Sequence, residues 1–256
     1  MLNPSPLSSY FKITGLTLLG TILLGFFFWK SLFYYNFYFG KGWESPEVKP
    51  TGDYVVLLHG IRASAGAMDN IARYLDERGY TVVNIDYPSS KYEVATLAKD
   101  YVGPALENCC GGREIHIVTH SMGGIVLRQY LQNHSIENLG KIVMIAPPNH
   151  GSAWSDRLGD WKIAQWIMGP ALPELKTGES GVPDSLPSRL SPTANPEFGI
   201  IAGNGRFGEN DGKVSVESTK LEGMADFKIV GETHISILAA QEVMEAVERF
   251  LKEGQF

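Results

Sequence analysis

Cysteine is nearly missing from this chain. Its only two, Cys109 and Cys110, are neighbours among 256 residues. Neighbouring cysteines close no long loop, so no disulfide framework holds the fold, and the pair reads as two thiols in a loop. A basic stripe is missing as well. Twenty-two Lys and Arg stand against 28 Asp and Glu, a net charge of −6, which speaks against a nucleic-acid partner, since that needs a positive footprint. No His/Cys/Glu grouping has metal-ligand spacing. The most Gly-rich stretch, "GNGRFGENDG" at 203–212, follows an apolar run but opens no helix pattern, as a nucleotide loop must. No cofactor is expected. Internal repeats and low-complexity tracts are also missing beyond residue 53.

What is present is a 44% hydrophobic chain with 28 glycines, the composition of a folded α/β domain rather than a disordered chain. Its length allows one domain of catalytic size plus an appendage. The appendage is N-terminal. "ITGLTLLGTILLGFFFW", residues 13–29, holds no charge, and as a helix it would span about 25 Å, the short end for crossing a bilayer. Eleven aromatic residues lie between Phe26 and Trp43, the pattern of an interfacial belt. Residues 1–45 are therefore expected to form a single-pass membrane anchor and linker, with the globular domain at 46–256. A cleaved signal peptide and an interfacial segment are the alternatives. The first has only Lys12 ahead of the apolar run and no small-x-small cleavage site. Lys12 on one side and Lys30 and Lys41 on the other leave the orientation open.

After "KGWESPEVKPTG", apolar strands alternate with helical patterns. Strands are expected at 54–59, 81–87, 114–120, 141–146, 198–203 and 226–230. Helices are expected at 66–80, 91–108, 122–134 and 236–253, with Gly103-Pro104 as a kink or break in the second. Continuous apolar strands separated by helices point to a mainly parallel sheet covered on both faces.

In "IVTHSMGGIVLRQYL", residues 117–131, Ser121 stands where a buried strand gives way to a helix. A sharp turn there holds a nucleophilic oxygen clear of the sheet and crowds the backbone, so small residues are wanted beside it. The turn also sets the following N–H, that of Met122, at a helix N-terminus where an oxyanion can be held. Gly123 fits the motif, and Thr119 replaces its usual first glycine. A serine that merely caps a helix would need none of this context.

On these residues the chain resembles the α/β-hydrolase fold over roughly 53–252, and within it small bacterial-type lipases and esterases. The resemblance implies further parts. "VVLLHGI" (55–61) is similar to the family segment whose loop supplies a second oxyanion N–H, here from Ile61 or Arg62, with His59 more a loop residue than a base. The family order is serine, acid, histidine. "GENDGKVSVES" (208–218) resembles the acid loop, with Asp211 as the matching carboxylate and Glu209 behind it; a solvated Asp-Gly turn is the plain alternative. "VGETHISIL" (230–238) then places His234 as the general base, ahead of His116, His120, His134 and His150. Asp86 precedes the nucleophile and reads as a loop-stabilising residue.

"IAPPNHGSAW" (145–154) resembles the segment that leaves the sheet for a cap, expected at about 152–196, where six prolines and three of five tryptophans collect. Trp154, Leu158, Trp161 and Met168 fall on one helical face, suited either to covering an acyl pocket or to ordinary packing. The expected activity is hydrolysis of a carboxylic, lipid-derived ester through Ser121, Asp211 and His234, with Met122 and Ile61 at the oxyanion. The same groups would serve a thioesterase, amidase or acyltransferase. A non-catalytic membrane-tethered binding module is the reading from another class.

Overall fold

A computed structural model describes residues 30–32, 34–46, 52–190, 196–205 and 208–256. Six strands form one all-parallel sheet: β1 (Tyr54–Leu58), β2 (Thr81–Ile85), β3 (Ile115–His120), β4 (Leu139–Ile145), β5 (Phe198–Gly203) and β6 (Asp226–Val230). Their spatial order is β2-β1-β3-β4-β5-β6. The chain therefore steps outward from β1 to β2, then crosses to the other side of β1 for β3. The crevice beyond the carboxyl ends of β1 and β3 is the point where the order reverses, and such crevices receive ligands in open parallel sheets.

Successive strand residues point to opposite faces, and the two cores follow that alternation. Val56, Leu58, Ile117, Ile142 and Met144 enter one core with α2 (residues 94–108) and α3 (Met122–Leu131). Val55, Leu57, Val118, Val143 and Ile145 enter the other, with α1 (Asp69–Asp76) and α9 (Gln241–Glu253). The Gly103-Pro104 site in α2 does not break the helix. A π-helical stretch, Leu97–Val102, widens the coil just ahead of Pro104, which then opens the last turns, Gly103–Asn108. Widening of this kind accommodates a residue that cannot donate to the ladder.

Between β4 and β5 the described residues of the expected insertion form four short helices: α4 (Ala153–Leu158), α5 (Lys162–Met168), α6 (Ala171–Glu174) and α7 (Val182–Ser185). Another short helix, α8 (Val216–Thr219), precedes β6. The single stripe expected along 154–168 is divided. Trp161 is extended and caps α5 rather than continuing α4, so Trp154, Leu158 and Met168 pack on the core while Trp161 faces solvent. With it, Ile163 and Trp166, the latter 86% exposed, form an outward apolar face.

The boundary expected at residue 46 also needs correction. The described part of the anchor-and-linker segment is docked on the domain: Phe37 is buried in the second core, and Asn36 Nδ2 donates to Asp69 Oδ2 at 2.8 Å. Trp43 N–H donates to the other oxygen of Asp69 at 2.7 Å, and the Arg73 guanidinium lies over the Trp43 ring. Periodicity cannot separate Phe37 from the aromatic run around it, which hides a core residue in what reads as a belt. Among the described residues no helix is long and apolar enough to cross a membrane; the apolar run 13–29 lies outside them. Cys109 and Cys110, expected as two thiols, are joined to each other as a disulfide, which still closes no loop.

Candidate active site

Ser121 sits between the end of β3 and the first residue of α3, with φ 53° and ψ −126°. A non-glycine residue takes such angles only when its surroundings force them, and such strain gathers at functional sites. Here the forcing is explicit. Ser121 N–H is held by Ile145 O at 2.9 Å, and Ser121 O by Gly124 N–H at 3.0 Å. A Cβ on Gly123 would lie 2.6 Å from Leu58 O and 2.7 Å from His59 O. The start of α3 thus presses directly on the backbone leaving β1, and only glycine permits it.

Three of the expected residues meet. The Ser121 hydroxyl donates to His234 Nε2 at 2.8 Å, and His234 Nδ1–H donates to Asp211 Oδ2 at 2.7 Å. The carboxylate accepts only, so Nδ1 carries the proton and Nε2 is left free to accept one. Asp211 is buried, and its other oxygen takes the N–H groups of Lys213 at 2.9 Å and Val214 at 2.8 Å. The Asp211 carbonyl holds His234 N–H at 2.9 Å, which ties the two loops together. Glu209 faces solvent.

The expected oxyanion donors come from two segments, one directly after the serine and one in the loop after β1. Met122 is the first residue of α3, so its N–H has no partner within the helix. Ile61 lies in the Gly60–Ala63 turn, closed by Ala63 N–H to Gly60 O at 3.3 Å, and lines the same crevice as Ser121 and His234. That crevice is narrow, with a free volume of about 10 Å³, and Trp154 and Ser155 of α4 form part of its wall.

The remaining histidines are occupied elsewhere. His59 is buried, stacks on Tyr87, and lies 3.6 Å from Asp86; Asp86 also accepts Ala65 N–H, fastening this loop. His116 accepts from Lys141 N–H. His134 stacks on Tyr130. His150 pairs with Asp184 at the surface. His120 is different: its Nε2–H donates to His234 O at 2.9 Å, so it steadies the loop that carries the candidate base. Burial, and then the nearby His234, push its pKa well below the usual histidine range. The sequence placed His120 next to the nucleophile but offered no sign of this contact across 114 residues. Lys213 was equally invisible: its side chain reaches the crevice and lies 4.8 Å over the Trp154 ring.

Residues 55–210 match the family model described as "Alpha/beta hydrolase family". No protein of curated function matches the sequence. Among solved structures, the fold is similar to a Bacillus licheniformis lipase in its propeptide form, with TM-score 0.62 and 22% identity over 82% of this chain and 52% of that one. The chain thus spans about half the length of that form. The mature form gives TM-score 0.60 and 21% identity over 84% and 97% of the two chains. A phospholipase from Legionella pneumophila gives TM-score 0.60 and 18% identity over 78% and 60%.

Proposed function

Because this chain belongs to the alpha/beta hydrolase family, we propose that it is a serine hydrolase cleaving a carboxylic ester. The observation that carries the reading is the run of two short hydrogen bonds, Ser121 to His234 to Asp211, beginning at a strained strand-to-helix turn. In it Ser121 Oγ attacks the ester carbonyl carbon while its proton passes to His234 Nε2. Asp211 keeps the proton on Nδ1 and stabilises the imidazolium. The Met122 and Ile61 amides hold the tetrahedral oxyanion. Collapse expels the alkoxide, which takes the Nε2 proton and leaves as alcohol. Water then attacks the acyl-serine, gives a proton to Nε2, and the second collapse returns that proton to Ser121 and frees the acid.

A lipid-derived ester suits the apolar face of α5 and the uncharged run 13–29, which we read as a single-pass anchor holding the domain at a membrane. The test is labelling of the full chain by a fluorophosphonate, followed by a chain-length series of p-nitrophenyl esters. Label on Ser121, and hydrolysis that depends on it, are expected. A chain that takes label on neither Ser121 nor any other serine and turns over no ester overturns the reading.

A further inference from the structure

Two donors in the crevice beside Ser121 have nothing to hold. Lys213 projects its ammonium into the crevice wall, and its one recorded side-chain contact is the face of Trp154. Among the described residues no carboxylate pairs with it; Asp211, next but one in the chain, is taken up by His234 and by two backbone N–H groups. Ser155, on the same wall, is buried, and its hydroxyl has no hydrogen-bond partner among the described residues. A partly buried cation without a counter-ion and a buried hydroxyl without an acceptor both cost stability. Burial lowers the Lys213 pKa, a shift that the nearby Asp211 charge only partly opposes.

We propose that Lys213 and Ser155 form an anion subsite, so that the preferred substrate is an ester bearing a negatively charged oxygen group, a phosphate or a carboxylate, within a few bonds of the scissile carbonyl. The subsite rests on the reading of Ser121 as nucleophile. It also fits the way Lys213 is mounted. Its N–H is fixed on Asp211 at 2.9 Å and its carbonyl takes the Ser152 hydroxyl at 2.7 Å, so the backbone is pinned on both sides and the side chain alone is left for ligand. The Trp154 face keeps the ammonium directed without neutralising it.

The experiment compares matched esters on the full chain. p-Nitrophenyl glutarate against p-nitrophenyl butyrate tests a carboxylate on the acyl side; dihexanoyl phosphatidylglycerol against dihexanoylglycerol tests a phosphate on the alcohol side. The pair with the larger charged-to-neutral ratio of kcat/KM identifies the source of the anion. In Lys213→Met that ratio should fall about 10- to 100-fold, the worth of a hydrogen bond to a charged group, and Lys213→Arg should restore most of it. Ser155→Ala should lower it less. Binding of dihexanoyl phosphatidylglycerol to Ser121→Ala, and its weakening at least tenfold in Ser121→Ala/Lys213→Met, reads the subsite without chemistry. Should Ser121→Ala keep full hydrolysis, the nucleophile assignment fails while the binding result still stands. A ratio near one in the unchanged chain, or one that Lys213→Met leaves where it was, overturns the subsite and leaves Lys213 as a latch on Trp154.

Discussion

At the scale of single residues, each member of the Ser121 cluster has a separable task. His234→Ala removes the proton carrier and should cost on the order of 10⁴ to 10⁶ in kcat. Asp211→Asn keeps the shape but lets the imidazole turn or change tautomer, so a loss of about 10⁴ is expected. Full activity in Asp211→Asn, measured on p-nitrophenyl butyrate, would remove Asp211 from the mechanism. His120 makes a prediction in pH. Its pKa, and that of His116, lie below the usual 6.5, in both cases chiefly through burial. Between 6.5 and the folded value the unfolded chain binds more protons than the folded one. Stability is therefore full above about pH 6.5 and falls as pH drops, by up to about 1.4 kcal/mol per unit for each group. Gln at position 120 can still donate to His234 O but does not titrate. Urea midpoints at pH 7.5 and 5.5 should therefore move less in His120→Gln than in the parent; equal shifts would assign the acid sensitivity to other groups.

At the scale of elements, α3 connects the nucleophile turn to the insertion through one buried side chain. Arg128 donates to Asn149 O at 2.9 Å and to Pro187 O at 2.9 Å, with a longer bond to Pro183 O at 3.2 Å. Burial lowers its pKa to about 10. Arg128→Leu would leave those carbonyls unanswered, at about 1–3 kcal/mol for each one that stays buried. A loss of at least 3 kcal/mol in urea unfolding is expected, with faster proteolysis within 176–190, and Arg128→Lys should recover less than half because an ammonium cannot fork. A loss under 1 kcal/mol would show that the insertion is held by its apolar contacts. This bond set also marks where the sequence stops being legible. Strands such as "KIVMIA" and "FGIIAG" announce themselves because both faces are buried. Ser121 is marked by the turn after the buried β3, whereas Asp211 and His234 are implied by the resemblance to the family's acid loop and histidine segment. An arginine in a helix pattern announces only a solvated face. That Arg128 turns inward, that Trp161 breaks the stripe, and that Lys213 reaches Trp154 all depend on contacts between distant segments, which periodicity does not carry.

At the scale of the whole molecule, the N-terminal region divides at a point the sequence does not mark. An apolar run at 13–29 and an aromatic run through 43 read as one membrane element, yet Phe37 fills the second core and residues 36–45 are stitched to α1 and β2. Ser45 N–H donates to Val82 O at 3.1 Å, and Val82 N–H returns a bond to Ser45 Oγ at 2.8 Å. Phe37 O also accepts Ser64 N–H at 2.9 Å. Two truncations therefore differ sharply. A chain of residues 30–256 keeps every one of these contacts and should unfold cooperatively near the parent's urea midpoint while hydrolysing soluble esters as well as the full chain does. A chain of residues 46–256 loses Phe37, worth about 3–5 kcal/mol as a buried aromatic, and exposes the acceptors of Asp69 that Asn36 and Trp43 had filled. It should be aggregated or unfolded at a much lower midpoint, against a total stability of about 5–15 kcal/mol. Membrane behaviour should separate at the other boundary: the full chain resists carbonate extraction, and residues 30–256 do not, if the anchor is the apolar run alone. Equal stability of the two truncations would show that residues 30–45 lie on the domain without supporting it, and a carbonate-soluble full chain would remove the anchor.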